Sequence, residues 1–292
     1  MDVSIIIVTY NSARCIKQCL ASVFAQAALT FECIVVDNAS ADDTVLATKE
    51  FNVQVFANRE NVGYGRGNNQ GYAASRGRYV YLLNPDARFM ENDALGNLCR
   101  AMDAHSSWGM AGTRLRTPDG KWEGLPAIEY PGQRHVHREF SSLPGKIAWV
   151  GGASMIIRRE LYQKLSGFDP DFFLYSEETD FCLRMREAGF EIGHVPEVIV
   201  EHIGGASEDL RDPYQVSSRK LKGLIQFRQK HYPPEDCIFL ARRDLRRAQI
   251  RAIWNGFLAR FQRPYSDVWK KHRQYRGLWD VSSQYLASSS NK

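Results

Sequence analysis

The chain has 292 residues, of which 44% are hydrophobic, 12% aromatic and 24% charged. That composition excludes a disordered polymer, a collagen-like repeat and a disulfide-stapled miniprotein, and it suffices for one or two domains with a sizeable core. The net charge of +5 hides a split: residues 207–292 carry 18 Lys and Arg against 8 Asp and Glu, and the preceding residues carry 20 against 25.

In chain order, Val3–Val8 is a short apolar run of the kind buried on both sheet faces. Residues 11–26 read as a helix with Ile16, Leu20, Val23 and Phe24 on one side. Phe31–Val36 is a second strand, and Ser40 with Asp43 reads as the cap of a short helix. Val53–Ala57, Tyr64–Ser75 and Tyr79–Leu83 then give strand, helix and strand. This rhythm predicts a mostly parallel, Rossmann-like α/β sheet with flanking helices and a ligand crevice beyond the carboxyl ends of its strands. Residues 87–201 are less regular. Within them 117–145 reads as a surface loop or hairpin, 148–157 as a strand, 177–188 as a helix, and 192–200 as strand material interrupted by Pro196.

Basic helices follow. Ile250, Ile253, Trp254, Phe257 and Phe261 keep helical spacing beside Arg242, Arg243, Arg246, Arg247 and Arg251. Packing on the preceding α/β body and docking on an anionic membrane surface both fit this pattern; nucleic acid is not expected, because no recognised binding motif accompanies the charge. The end, Ser288 to Asn291, is expected to fray. No apolar run reaches the roughly 18–20 residues of a spanning helix. The first ten residues have neither a basic n-region nor a small-residue cleavage site, so a cytoplasmic protein is expected. The six cysteines (Cys15, Cys19, Cys33, Cys99, Cys182, Cys237) form no C-x-x-C pair and read as buried, reduced thiols.

Chemistry concentrates at strand ends. Asp37 closes the second strand, where it can accept hydrogen bonds from a base or ribose or cap the next helix. Asn84-Pro85-Asp86 closes the fourth, and Asp86 suits Mg²⁺ or Mn²⁺ on phosphate oxygens. The Gly- and Asn-rich run from Asn61 to Gly71 permits close backbone approach, with Arg66 as a candidate phosphate contact, or serves tight helix packing. Glu177, Glu178 and Asp180 begin a helix after the aromatic stretch from Gly167 to Tyr175. A helix dipole favours acids there, and aromatic walls can tune one of them as a base. His202 follows an apolar strand and precedes Gly204-Gly205.

Taken singly these signals are weak, but their order resembles the family 2 glycosyltransferases of GT-A fold, in particular the bacterial rhamnosyltransferase-like branch. The resemblance covers roughly residues 3–207. It implies a catalytic domain over 1–206, with a nucleotide-binding half (1–86) and an acceptor half (87–206); residues 207–292 match no family motif and are set apart as a helical basic extension by their charge and helical spacing. It also implies an inverting transfer from a nucleoside-diphosphate sugar, with dTDP-rhamnose the expected donor and a saccharide or lipid-linked saccharide the acceptor, in bacterial polysaccharide synthesis. By that resemblance Thr9, Tyr10, Asn11, Asp37, Asn38, Arg66 and Asn84 serve the nucleotide, and Asp86 and His202 the metal. Trp149, Gly151 and Gly152 face the donor sugar and acceptor. Glu178 falls on the catalytic base, one methylene longer than the usual Asp, with Glu177 and Asp180 as rivals. Asn84 replaces the first acid of the family's metal motif. Two other readings stand beside this one: a non-catalytic nucleotide-sugar or carbohydrate-binding module on the same fold, and a nucleotidyltransferase. The latter normally has a Gly-rich, basic phosphate loop where Thr9-Tyr10-Asn11 stands.

Overall fold

The computed structural model describes all residues except 28, 125, 205–211, 264–265 and 290–292. The expected boundary at 206/207, Gly205 and the Ser290–Asn291 end lie outside the described residues. The elements are β1 (Val3–Thr9), α1 (Ile16–Phe24), β2 (Phe31–Asp37), α2 (Thr44–Thr48), β3 (Gln54–Ala57), α3 (Tyr64–Ala74), β4 (Tyr79–Leu83) and β5 (Ala87–Phe89). They continue with α4 (Ala94–Ala104), β6 (Trp108–Arg116), β7 (Trp122–Glu123), β8 (Ser154–Arg158), α5 (Arg159–Lys164), α6 (Glu177–Glu187) and β9 (Glu191–His202), and close with α7 (Pro213–His231), α8 (Pro234–Ala259) and α9 (Asp267–Ser289).

The strands form one sheet in the order β3-β2-β1-β4-β8-β6-β9-β5, with β7 paired to β6. The β3-β2-β1-β4 half is wholly parallel. Beyond β4 the sheet is mixed: β8 runs antiparallel to both β4 and β6, β5 runs antiparallel to β9, and β6 and β9 are parallel. The helical crossovers α1, α2 and α3 thus link the wholly parallel half, while β8 returns beside β4 in the opposite direction. Every residue of β1 is buried. Its side chains alternate between two cores, with Val3, Ile5 and Ile7 packing toward α1 and α4, and Ile6 packing with Val80, Leu82, Phe168 and Phe181.

Several elements differ from the sequence reading for local reasons. Helix α1 begins at Ile16 because Asn11 has φ +50° and residues 12–15 form a turn, in which Ser12 O accepts from the amides of Cys15 and Ile16. The α2 entry is held by Asp42, which accepts from the Thr44 amide at 3.1 Å, while Ser40 turns to Asp37 instead. The 148–157 strand pairs in the ladder only from Ser154; ahead of it Trp149 bridges to Ala127. Pro196 does not end β9. The register slips between Thr113↔Val195 and Arg114↔Ile199, so the proline sits in a bulge where no ladder donor is needed. The irregular middle contains α4 and β6, which the sequence reading left unassigned. All six cysteines are buried and unbridged.

The chain divides into two compact units, one of Met1–Tyr130, Ser142–Phe173 and Glu177–Ser207, the other of Pro131–Ser141, Leu174–Ser176 and Glu208–Lys292. The first holds the sheet. The second is helical, with Leu221, Ile225 and Val281 at the α7–α9 contact. Gly277 permits that contact, since a Cβ there would lie 2.6 Å from the Tyr214 carbonyl oxygen. Among the described residues no helix is long and apolar enough to cross a membrane.

Candidate active site

The carboxyl ends of β1 and β2 meet in register at Thr9↔Asp37. Thr9 Oγ1 donates to Asp37 Oδ1 at 2.7 Å, Ser40 Oγ donates to the same oxygen at 2.6 Å, and the Ser40 amide donates to Oδ2 at 2.9 Å. A buried carboxylate with three local donors is a fixed strut that retains acceptor capacity for a ligand. Asn38 is equally engaged: its Nδ2 donates to Gly63 O at 3.1 Å and its Oδ1 accepts from Asn58 Nδ2 at 2.9 Å. Asn11 Oδ1 accepts from the Ala41 amide at 2.8 Å, lacing the loop after β1 to the loop after β2. Tyr10, between these struts, is exposed, so its ring is available for stacking.

From Tyr64 the Gly-rich run is helix α3, packed closely on β1 and on the Phe168–Phe173 stretch. A Cβ at Gly67 would lie 2.8 Å from Val8 Cγ1, and one at Gly71 would collide with Ile6. Gly63, at φ +91°, would collide with the Phe173 carbonyl oxygen. Arg66, the phosphate candidate of this run, donates its Nε to the Pro170 carbonyl at 2.8 Å. The run therefore fastens the Gly167–Phe173 stretch against α3.

At the end of β4, the Asn84 amide donates to Ala153 O at 2.9 Å. The β5–β9 ladder, in register at Ala87↔His202, carries His202 to Asp86. His202 Nε2 lies 3.4 Å from Asp86 Oδ1 and 3.5 Å from Asn84 Nδ2, and Nδ1 lies 3.2 Å from Glu123 Oε2. Burial alone would lower the imidazole pKa, but its hydrogen bonds to Asp86 and Glu123, and their charges, raise it above the ordinary value. Glu123 was not legible in the sequence, because it reaches His202 only through the two-residue strand β7. Arg114 supports that strand by lying 3.6 Å over the Trp122 ring.

Among the described residues no three His, Cys, Asp or Glu groups form a metal cluster. A divalent cation would draw two ligands from the protein, Asp86 and His202 Nε2, and the rest from diphosphate oxygens or water. That donor set fits: Mg²⁺ and Mn²⁺ commonly bind through one or two protein groups plus phosphates, and an imidazole favours Mn²⁺. Glu123 on Nδ1 supplies the outer carboxylate that fixes a ligating histidine's orientation.

Residue 152 joins this region to the acids. A Cβ at Gly152 would lie 3.5 Å from Tyr64 Oη and 3.7 Å from Glu178 Cβ, and Tyr64 Oη donates to Gly152 O at 2.6 Å. A Cβ at Gly151 would meet nothing within 4 Å, so open space lies beside the backbone there. Trp149 is half-buried and donates its indole N–H to Glu129 O at 3.2 Å. The chain enters α6 through Tyr175 and Ser176, both at positive φ (75° and 73°). Such conformations cost of order 1–3 kcal/mol each and collect at functional sites.

The three acids of α6 separate by environment. Asp180 is fully buried and accepts from Arg184 Nε at 2.8 Å; Arg184 also holds the carbonyls of Leu165 and Gly167. It is a structural ion pair, and its carboxylate is committed. Glu177 is buried, its Oε2 has no hydrogen-bond partner, and burial first, then the neighbouring Glu178 charge, raises its pKa well above the ordinary carboxylate range. Glu178 is the half-buried member, beside Gly152.

The family described as Glycosyl transferase family 2 matches residues 4–178. The chain is 26% identical over 244 residues to the N-acetylglucosaminyl-diphospho-decaprenol L-rhamnosyltransferase of Mycobacterium tuberculosis, a match that covers 72% of this chain and 78% of that protein. It is 24% identical over 210 residues to the O-antigen chain rhamnosyltransferase RfbN of Salmonella typhimurium, covering 69% and 66%. Among solved structures it resembles the mannosyltransferase PcManGT of Pyrobaculum calidifontis in complex with GDP-Man and Mn²⁺, with a TM-score of 0.57, 16% identity and coverage of 99% and 75%. It also resembles residues 1–349 of S. aureus TarS in complex with UDP, with a TM-score of 0.57, 17% identity and coverage of 99% and 92%.

Proposed function

The chain belongs to glycosyl transferase family 2 and has the GT-A fold, and from that premise we propose that it is an inverting rhamnosyltransferase using dTDP-rhamnose and a lipid-linked saccharide acceptor. The observation that supports this most is the meeting at β4. Asp86 and His202 stand 3.4 Å apart at its carboxyl end, and Asn84 is bonded to Ala153, next to the Gly152 that faces Glu178. Leaving-group stabilisation and proton removal would then lie on neighbouring stretches of chain. The rhamnosyl donor and lipid-linked acceptor follow the named relatives.

In the proposed reaction the acceptor oxygen forms a bond to the anomeric carbon as the bond to the diphosphate oxygen breaks. The diphosphate leaves with the electron pair, and Glu178 takes the hydroxyl proton, a contribution typically worth about 10²–10⁴-fold. Burial first, then the Glu178 charge, favours the neutral form of Glu177. Thr9, Asp37 and Asn38 hold the rims of the nucleotide cradle without reorganising, and Tyr10 covers the base. Asp86 and His202 would hold a divalent cation, which supplies positive charge against the departing diphosphate. Open backbone at Gly151 admits the sugar.

The test is transfer itself. The protein is incubated with Mn²⁺ or Mg²⁺, a lipid-diphosphate N-acetylglucosamine acceptor, and dTDP-rhamnose, UDP-N-acetylglucosamine or GDP-mannose in turn. Product with dTDP-rhamnose alone is expected. Product only with another donor would overturn the rhamnosyl assignment, and donor binding with no transfer or hydrolysis would favour the non-catalytic module.

A further inference from the structure

Helix α8 is amphipathic in an unusual sense. Its buried side chains, among them Cys237, Leu240, Ala241, Ala248 and Ala252, occupy one face. At 100° per residue, Phe239, Arg243, Arg246, Ile250, Ile253 and Phe257 line the opposite face. Ile250, Ile253, Trp254, Phe257 and Phe261 are 53% to 75% exposed, far beyond the scattered single apolar residues of an ordinary surface. Ahead of them, Phe239, Arg242, Arg243, Leu245, Arg246 and Gln249 line an open groove of about 480 Å³.

The charge on this stretch has one sign. Between Asp244 and Asp267 the sequence holds five arginines (Arg246, Arg247, Arg251, Arg260, Arg263), no lysine and no acid. Asp244 is turned away and bound to Arg228 Nη1 at 2.5 Å. Arg251 donates to Tyr275 Oη at 2.6 Å, on the α9 side.

We infer that this face of α8 docks on an anionic lipid bilayer. Ile250, Ile253, Trp254 and Phe257 enter the boundary between headgroups and acyl chains, and Arg242, Arg243 and Arg246 take lipid phosphates. Both halves of the pattern suit that partner: bulky apolar side chains bury in the interface, and a row of arginines is drawn by the negative surface potential. A second copy of the chain suits it less, since a two-fold contact would set the same arginine row against itself: of the three acids of α8, Asp236 is buried and Asp244 is held by Arg228, which leaves Glu235 against the row. Nucleic acid would leave the isoleucines without a partner. Docking is a property of α8 alone and does not depend on which sugar the enzyme transfers.

The experiment is co-sedimentation of the full chain with vesicles of phosphatidylcholine alone or of phosphatidylcholine with phosphatidylglycerol, over a salt series and without substrates. Wild type is expected on the anionic vesicles at least about tenfold more than on the neutral ones, with binding falling as salt rises. Two variants separate the contributions: Ile253→Ser/Trp254→Ser/Phe257→Ser, and Arg242→Gln/Arg243→Gln/Arg246→Gln. All six positions lie outside the site, so thermal shift by nucleotide-sugar reports that each variant is folded. Loss of anionic-vesicle binding by about tenfold in both variants supports the inference. Absence of wild-type binding, undiminished binding in either variant, or a dimer that the apolar variant converts to monomer would each overturn it.

Discussion

The carboxyl ends of β1 and β2 and the start of α6 are built on opposite principles. Around β1 and β2 the buried polar side chains are matched by neighbours: Thr9 and Ser40 both donate to Asp37, and Asn38 bonds Asn58 and Gly63. At the start of α6 Glu177 is buried with an oxygen no donor reaches, beside Glu178, after two residues held at positive φ. The first end stores rigidity and the second stores tension. A cradle for a nucleotide gains from side chains that are already paired, whereas a base gains from an environment that keeps its proton affinity in play. Removing a polar group should therefore weaken the protein at one end and relax it at the other.

The largest effect falls on chemistry. Glu178→Gln is expected to lower turnover by about 10²–10⁴-fold with donor affinity nearly unchanged, read from steady-state kinetics beside calorimetry. A parallel fall in donor affinity would move Glu178 from proton transfer to binding and blur the contrast. Asp86→Ala comes next. With Mn²⁺ or Mg²⁺ present it should weaken nucleotide-sugar binding by about 10–100-fold, and in a chelator the variant and wild type should bind alike. Equal losses with and without metal would remove the cation role of Asp86.

Asp37→Ala sharpens the comparison through stability. It strips three donors of their acceptor and should cost about 1–3 kcal/mol in urea unfolding. Glu177→Gln is the smallest and opposite in sign. Because the folded pKa is raised, the folded state keeps a proton that the unfolded chain releases above the ordinary carboxylate range. Stability is full below that range and declines as pH climbs toward the folded value. The glutamine variant lacks this decline, so it should melt a few degrees above wild type at pH 8, with the gap closing near pH 4. A wild type whose melting temperature does not fall over that interval would place the Glu177 carboxyl in water.

What could be read from residues alone followed regular periodicity. Val3–Val8, Phe31–Val36 and Tyr79–Leu83 announce themselves as apolar runs because parallel strands are buried on both faces. The start of α1 at Ile16 is hidden from the sequence because Asn11 sits in the left-handed region, a backbone choice that composition does not reveal. Strand β6 escaped because Gly109, Thr113 and its alternating arginines dilute the apolar signal, and β5 because three residues carry no period. Motif order singles out Asp86, Glu178 and His202, and the structure sets Asp86 beside His202 and Glu178 beside Gly152. The difference between Glu177, Glu178 and Asp180 does not show in the sequence, since it rests on Arg184 reaching back one helical turn and on which residue lies beside Gly152. Glu123 was invisible for the same reason, as its partner lies in a different strand 79 residues away.

The central claim is a direct displacement at the anomeric carbon with Glu178 as base. It is tested most directly by proton NMR of the first sugar product formed from a donor of known anomeric configuration. The account predicts a product of inverted configuration from the earliest turnovers. A product that keeps the donor's configuration would contradict it, because retention requires a different route from a single attack assisted by one base.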